Sequence, residues 1–518
     1  MDSNEIAEKS SAADELQQLL GEASQVFSDY VRQSLDDATP VVGDSGDLDL
    51  TLPDEAGAGA AGIWDDVRAV CGAATNTWSA RFLYKLYAAP TAVGVVGEAL
   101  MGLLNNNAHV LQASPVGAAV EATVARRLAE LAGLPAATAG GLTFPGGAYA
   151  NIHALMVARN RRFPELVRGG MGGLRGAPVV FTSTHAHFSI EKAAVAAGIG
   201  LDHVERVPTD SNGRMDGVAL RRQVERAVAR GDLPFFVNAT AGTTVLGAFD
   251  PVDAIADVCA DHGLWLHVDG AWGGPLALFC KDVCNVSGLH RADSLSVSAH
   301  KLLGVPLQCS FLLVRAGLGV MRDALGLGAQ YLFHGDEDDV GDATLGCGRR
   351  PDAIKLWLAW RYYGTRHFRA RLMAARARAR ALAAAVAARP ACATGVWRLV
   401  AAPQSTCVCF WFVPGARAGG PPQPWWGRAT ALLCRHVNAA GHVLIDYAAV
   451  DLPGGALPAF FRVPLNSPHV SSRTLEAVLD AIEAAAEALA GDLELLRRAD
   501  GPPGDGPPRE APSPPSLP

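Results

Sequence analysis

Short apolar runs alternate with amphipathic stretches between about residues 80 and 365. Residues 178–181, 235–237 and 264–268 are continuously apolar and have the length of buried strands. Residues 218–230 and 252–262 carry apolar side chains at helical spacing. This alternation predicts an α/β fold in which helices cover both faces of a mostly parallel sheet. Functional groups then collect at the carboxyl ends of the strands.

The two ends of the chain have different patterns. Apolar residues recur at helical spacing from Leu16 to Val31, which predicts an N-terminal helical arm within residues 1–80. The Gly- and Ala-rich stretch 56–62 predicts a flexible link in this arm. Residues 498–518 are rich in proline and predict a disordered tail.

The pattern changes again after residue 365. The predicted elements are a helix at 368–389, strands at 397–400 and 408–413, a Pro- and Gly-rich loop at 415–426 and a helix at 472–489. Helices beside a small antiparallel sheet form a second, smaller α+β domain. We therefore expect a large α/β domain over residues 81–365 and a C-terminal domain over residues 366–497.

Composition limits the classes of function. The chain has 518 residues, and 49% of them are hydrophobic, which is enough for a large buried core. The formal net charge is −8, and Lys and Arg do not cluster with aromatic residues, so nucleic-acid binding is not expected. The charge-free span 131–158 is long enough to cross a membrane, but Pro135, Pro145 and several glycines interrupt it. We expect a helix end, a loop and a new helix there, and no membrane association.

The cysteines and the N-terminal residues indicate whether a metal centre and a targeting signal are expected. The ten cysteines include no CxxC pair and no spacing typical of a zinc site, so no metal centre is expected. The first residues contain neither a basic nor an apolar segment, and no arginine precedes Arg32, which argues against a secretory signal and a transit peptide. The expected location is the cytoplasm.

Two charged residues follow apolar segments of the α/β region. Asp269 comes directly after the predicted strand at 264–268, and Lys301 follows the apolar run that begins at Leu295. Pyridoxal phosphate requires a lysine amine that condenses with its aldehyde and a carboxylate that keeps its ring nitrogen protonated. The alternative is a solvated surface lysine and a strand-end cap, the commoner role of each residue type alone.

Several longer motifs accompany this pair. They are residues 237–244 with 247–251, 267–274, 304–310, 330–333, 347–350 with 355–358, and 460–462. In these motifs and in the pair Asp269 and Lys301, the chain from about residue 27 to 489 resembles the group II pyridoxal-phosphate decarboxylases. The resemblance is to the animal-type glutamate and cysteine sulfinate decarboxylases in particular. The resemblance implies a fold-type-I, aspartate aminotransferase-like architecture, pyridoxal 5′-phosphate as the cofactor and a homodimer.

The resemblance also implies cofactor contacts along the α/β region. Lys301 would attach the cofactor, and Asp269 would hold its ring nitrogen. The Gly-rich turn before a helix expected near Asn151 would offer Gly147 and Ala148 N–H groups to the phosphate, because helix N-termini bind anions. The remaining implied contacts are His187 and Ala271 on the two faces of the ring, together with Thr244, Ser298 and His300.

Three of the segments implied in cofactor binding depart from the family pattern. Phe144 stands where the family has serine before Pro145, which removes one possible hydroxyl donor. Ser298 and Ala299 replace the common Asn-Pro before His-Lys, so the turn lacks a rigid proline. Gly270 replaces an alanine.

Two further residues are implied in catalysis and substrate binding. Tyr331 resembles the tyrosine of a mobile loop that protonates the substrate carbon after CO2 leaves, although the acidic segment 334–346 is shorter than is usual in the family. Arg462 matches the arginine that binds a substrate carboxylate through its planar fork. The alternatives are a buried tyrosine and a surface arginine paired with a nearby acid.

Lys85 and Tyr87 bear on the substrate. Lys85 stands where the family has glutamine, and it could add a second cation or point to solvent. Tyr87 resembles the aromatic residue of cysteine sulfinate and aspartate decarboxylases, where glutamate enzymes carry serine. A bulky ring shortens the pocket and favours short acids, so cysteine sulfinate or aspartate is the expected substrate. Glutamate, an aromatic amino acid and a catalytically weak relative remain alternatives.

Overall fold

The computed structural model describes residues 3–44, 46, 48–52, 54, 57, 59–284, 286–334, 339–392, 394–415 and 420–499. The disordered tail predicted at 498–518 lies outside the described residues, except that its first two residues are helical. Parts of the predicted link at 56–62 and of the short segment 334–346 also lie outside them.

The strands are β1 (Phe82–Leu83), β2 (Gly140–Phe144), β3 (Pro178–Ser183), β4 (Val204–Val207), β5 (Leu233–Thr240), β6 (Trp265–Gly270), β7 (Ser294–Ser298), β8 (Ser310–Val314), β9 (Gly395–Leu399), β10 (Cys407–Pro414), β11 (Leu444–Leu452) and β12 (Gly455–Pro464). The helices are α1 (Ser3–Ser34), α2 (Gly59–Ala73), α3 (Ala92–Leu104), α4 (Pro115–Ala132), α5 (Gly147–Arg162), α6 (Leu166–Gly169), α7 (Ser189–Ala196), α8 (Gly217–Ala229), α9 (Val252–His262), α10 (Gly274–Phe279), α11 (Lys281–Cys284), α12 (Leu318–Leu325), α13 (Ala353–Ala388), α14 (Pro424–Ala439), α15 (Ser472–Ala488) and α16 (Ala490–Ala499).

The larger sheet has the strand order β2, β8, β7, β6, β5, β3, β4. Strands β4, β3, β5, β6 and β7 are parallel, whereas β8 runs antiparallel to both β7 and β2. Along β3, Val180 packs into the core on one face and Phe181 into the core on the other. Burial on both faces explains the continuous apolar runs in the sequence. The predicted mostly parallel α/β sheet is confirmed.

The smaller sheet has the strand order β1, β11, β12, β10, β9. Its pairs are antiparallel except that β1 runs parallel to β11. The small sheet predicted as antiparallel therefore has one parallel pair, because Phe82–Leu83 joins its edge. This pairing carries Lys85, two residues beyond β1, to the side of β11.

Helix α13 begins earlier than predicted. It runs over Ala353–Ala388 and is interrupted at Gly364, whose φ of 76° and ψ of 166° are not helical. It packs against α3 and α4 and also against β9, β10 and α15. Its buried apolar residues from Ala353 to Leu372 belong to the core of the large sheet, and those from Ala379 to Val386 belong to the core of the small sheet. The helix thus connects the two sheets across the predicted boundary at residue 365, and the domain limits stay predictions.

Two loop predictions need correction. The charge-free span 131–158 contains the strand β2 between α4 and α5, and α5 begins at Gly147 instead of near Asn151. Glycine is a poor strand former, so the two glycines of β2 concealed it. The Pro- and Gly-rich loop predicted at 415–426 ends early, because Pro424 opens α14 at a position where helices tolerate proline. Among the described residues, no helix is both long and apolar enough to cross a membrane.

A buried ion pair fixes β2 beside α4. The guanidinium of Arg349 donates to both carboxylate oxygens of Glu121, at 2.7 and 3.0 Å, and the two side chains are only 6% and 4% exposed. Glu121 also accepts hydrogen bonds from the N–H and hydroxyl groups of Thr143. This contact holds the end of β2, from which the chain continues into the Gly-rich turn.

We expect Glu121→Gln to lower the free energy of unfolding by about 3–5 kcal/mol, because it leaves the Arg349 charge buried without its counter-charge. Glu130→Gln on the same helix is the matched control, since the Glu130 pair with Arg127 is exposed and contributes about 0–1 kcal/mol. Denaturant unfolding of the three proteins measures the difference. Equal losses for the two variants would contradict this role of the buried pair.

Candidate active site

A cavity of about 280 Å³ opens at the carboxyl ends of β5 and β6. Its lining includes seven residues named from the sequence: Gly147, Ala148, His187, Thr244, Asp269, Ala271 and Lys301. The parallel register places Thr240 directly beside Asp269, so the ends of the two strands meet here. Residues up to 154 positions apart in sequence, Gly147 and Lys301, therefore share one small space.

Asp269 is the buried anion of this cavity. The side chain accepts hydrogen bonds from the Asn151 amide at 2.8 Å, the Ala271 N–H at 3.0 Å and the Ser296 hydroxyl at 3.2 Å. Burial would raise the pKa of Asp269, but the hydrogen bond from the Ala271 N–H and the electrostatic interactions with His187, His267 and Lys301 outweigh burial and hold that pKa below its ordinary value. Asp269 is therefore an ionised carboxylate at neutral pH.

Lys301 supplies the amine. It lies just after β7 and turns into the cavity that Asp269 also lines. Burial lowers the pKa of Lys301, and the charge of Asp269 opposes that shift. A lower pKa increases the neutral fraction of the amine, and only the neutral amine is a nucleophile.

The N-terminus of α5 forms the opposite side of the cavity. Gly146 caps this helix with φ of 107°, and no side chain satisfies the first N–H groups. A Cβ on Gly147 would lie 2.9 Å from the Ala271 Cβ, so only glycine allows this close approach. Free N–H groups at a helix N-terminus suit a phosphate dianion.

His187 lies against the same space from the strand β3 side. Its Nδ1 accepts the N–H of Ser189 at 3.2 Å. Burial lowers the pKa of His187, while the charge of Asp269 raises it, and the net shift is downward. The imidazole is therefore mainly neutral and presents an uncharged ring to the cavity.

Ser298 and His300 do not line the cavity. The Ser298 hydroxyl shares a hydrogen bond of 2.7 Å with Ser310 and lies beneath Gly147, where an added Cβ would approach it to 3.3 Å. His300 Nδ1 accepts the N–H of Cys309 at 3.0 Å, and burial lowers its pKa to about 4. Both residues support the turn before Lys301, and cofactor contact by them stays a prediction.

The residues implied in substrate chemistry also lie outside the cavity lining. Tyr331 is 88% exposed. The ring of Tyr87 packs on Phe82 with centroids 5.6 Å apart. The side chain of Arg462 contacts the cavity wall at one backbone group, because its Nη1 donates to the carbonyl of Thr244 at 3.2 Å. Lys85 lies near Arg462 but bonds to Asp446.

Comparison with known proteins agrees with this geometry. Residues 45–413 match the model of the pyridoxal-dependent decarboxylase conserved domain. This chain belongs to the pyridoxal-dependent decarboxylase family. An L-aspartate decarboxylase of Metarhizium robertsii is 38% identical over 441 residues, covering 84% of this chain and 85% of that protein. A cysteine sulfinic acid decarboxylase of Rattus norvegicus is 36% identical over 447 residues, covering 84% and 88%.

Solved structures of the family share the fold. The crystal structure of mouse CSAD has a TM-score of 0.82 and 32% identity, covering 92% of this chain and 99% of that one. Oryza sativa TDC with PLP and tryptamine has a TM-score of 0.81 at 24% identity over 92% and 98%, a likeness that shows the fold alone. The predicted fold type I and the pyridoxal-phosphate-dependent decarboxylase class are confirmed.

The residues present fit pyridoxal phosphate, the cofactor of the family. An amine and an ionised carboxylate face one cavity, free helix N–H groups lie at its edge, and the buried Thr240 hydroxyl, also in the lining, has no hydrogen-bond partner among the described residues. When bound, the cofactor supplies a protonated ring that accepts the electron pair released as CO2 leaves. Asp269 would keep the proton on the ring nitrogen, and Lys301 would supply the point of attachment.

Sequence reasoning missed the network that holds Asp269. Asn151 donates to Asp269 and to the Ser189 hydroxyl at 2.9 Å, and its own oxygen bonds to His267 Nε2 at 3.0 Å. Burial lowers the pKa of His267 to about 4, so this ring is neutral. Asn151 was visible only as the expected start of a helix. A buried polar residue one turn after the Gly-rich motif was the available signal.

We expect Asn151→Leu to weaken cofactor binding tenfold or more, because a hydrogen bond to a charged group contributes about 1.5–3 kcal/mol. The leucine has a similar volume but leaves Asp269 and His267 each without one partner. Titration of the apoprotein with pyridoxal phosphate measures the dissociation constant. Asn160→Leu is the control, because Asn160 is a buried residue of the same helix whose amide bonds to the distant Ala324 carbonyl. Unchanged affinity in Asn151→Leu would refute this role.

Proposed function

We propose that the protein decarboxylates a small acidic amino acid, aspartate or cysteine sulfinate. The observation that carries the reaction class is the cavity that holds Lys301 and the ionised Asp269 within one space of about 280 Å³. Two observations support the substrate class. The cations Arg462 and Lys85 lie beside that cavity. Two similar proteins are named as decarboxylases of aspartate and of cysteine sulfinate.

Arg462 is the proposed ligand of a substrate carboxylate. Its side chain is 7% exposed. Its Nη1 donates to the backbone carbonyl of Thr244, a residue that lines the cavity. A guanidinium binds carboxylate or sulfinate strongly, because its planar fork forms two parallel charge-assisted hydrogen bonds. An aromatic substrate has no second anion for this group.

Tyr331 supports a homodimer in which a partner subunit completes the site. Its 88% exposed side chain does not line the cavity of its own chain. A proton donor must reach the substrate carbon and exclude water, and an exposed tyrosine on one subunit fulfils this role only after it is covered. The cytoplasmic location also stays a prediction.

We expect kcat/KM for aspartate or cysteine sulfinate to exceed that for glutamate by about tenfold or more, because one methylene in a fitted pocket changes it by about 10–200-fold. CO2 release with the three acids measures this order. Tyr87→Ser should reduce the difference if the ring limits the length of the pocket. The Lys301→Ala variant gives the background rate.

A preference for glutamate would overturn the Tyr87 argument. A preference for an aromatic amino acid would overturn the proposed substrate class. Absence of CO2 release from protein that has bound its cofactor would identify a catalytically weak relative instead.

A further inference from the structure

Three protein groups already occupy the guanidinium of Arg462. Nη2 donates to the Asp446 carboxylate at 2.6 Å and to the Tyr84 carbonyl at 3.1 Å, and Nη1 donates to the Thr244 carbonyl at 3.2 Å. Nε is buried and has no hydrogen-bond partner in the part of the chain that the structure describes. The cross-strand register of β11 and β12 sets Asp446 directly opposite Arg462, so the pair is built into the sheet.

This arrangement leaves no edge of Arg462 free for a two-point contact. A guanidinium has five N–H groups, and its two bidentate edges, Nε with Nη2 and Nη1 with Nη2, share the Nη2 group. Both N–H groups of Nη2 are engaged, by Asp446 and by Tyr84. A substrate carboxylate therefore gains a bidentate contact only after one of these acceptors leaves.

Asp446 is the acceptor that has a second cation to hold it when it leaves Arg462. The oxygen that Arg462 contacts, Oδ2, also accepts a hydrogen bond from Lys85 Nζ at 3.0 Å. The Lys85 side chain is 45% exposed and is free to follow a moving carboxylate, whereas Arg462 is 7% exposed and held by backbone carbonyls. The Tyr84 carbonyl belongs to the backbone beside β1 and cannot leave without moving that strand.

We propose that Asp446 determines the affinity for the acidic substrate by occupying Arg462 until the substrate carboxylate displaces it, and that Lys85 retains the displaced Asp446. This inference rests on the proposed role of Arg462. The exchange replaces one carboxylate by another at the same guanidinium. Only the difference between the two contacts then contributes to binding, so Asp446 weakens the binding of every acid. Lys85 acts through Asp446 and does not contact the substrate.

The first test is Asp446→Asn in the holoenzyme, which keeps the shape of the side chain and removes the competing charge. We expect KM for aspartate to fall about tenfold and kcat to stay within about twofold, since close charge pairs contribute at least this much to binding. Calorimetric titration with succinate should show the same decrease in the dissociation constant. Succinate has two carboxylates and no amino group, so it reports binding without turnover.

Asp451→Asn is the matched control, because it removes the same charge from an exposed position of the same strand. We expect KM and the succinate dissociation constant of this variant to equal those of the wild type. Asp446→Ser, which also removes the charge, should repeat the effect of Asp446→Asn. Unchanged or weaker binding in both Asp446 variants overturns the proposal, as does an equal gain in Asp451→Asn.

Lys85→Gln tests the second half of the proposal. In the wild-type background it should raise KM several-fold, because Asp446 then has Arg462 as its remaining cation. In the Asp446→Asn background it should leave KM unchanged. An equal increase in both backgrounds would mean that Lys85 contacts the substrate directly, and this part of the proposal would be wrong.

Arg462→Lys separates this inference from the proposed function. A large increase in KM and in the succinate dissociation constant is expected, because lysine lacks the planar fork. No increase would remove the proposed role of Arg462 itself. An increase in Arg462→Lys together with no gain in Asp446→Asn would contradict only the competition by Asp446.

Discussion

The ionised carboxylate of Asp269 is the interaction on which the rest of the site depends. A carboxylate that is 4% exposed is strongly destabilised unless donors and positive charges surround it. Asn151 from α5, the Ala271 N–H and the Ser296 hydroxyl from β7 provide those donors. The parallel sheet brings the three elements together, because neighbouring strands end at the same edge.

Electrostatic competition recurs at the two ends of the site. At the proposed cofactor end, Asp269 opposes the burial that lowers the pKa of Lys301, so the carboxylate that would hold the ring nitrogen also influences the amine. At the proposed substrate end, Asp446 lies between Arg462 and Lys85. In the first case the anion is fixed by buried hydrogen bonds. In the second, one of its partners is half exposed, which makes exchange feasible.

Local sequence patterns allowed some site residues to be predicted, whereas contacts between residues far apart in the chain could not be predicted. Lys301 and Asp269 were recognised because apolar strands and local motifs frame them, and the structure brings them into one cavity. The contact between Asn151 and Asp269 joins residues 118 positions apart, and no local pattern reports it. The pairing of β1 with β11, which sets Lys85 beside Asp446, is likewise a long-range contact of a two-residue strand. Such short strands carry too few residues for a periodic signal.

The most direct test of the account is to find which lysine carries the cofactor. The purified holoprotein is reduced with borohydride, digested and mapped by mass spectrometry. The account predicts a phosphopyridoxyl group on Lys301 and loss of this label in Asp269→Ala, because we expect removal of the carboxylate to weaken cofactor binding. A label on another lysine, or none on a protein that has taken up the cofactor, would contradict it.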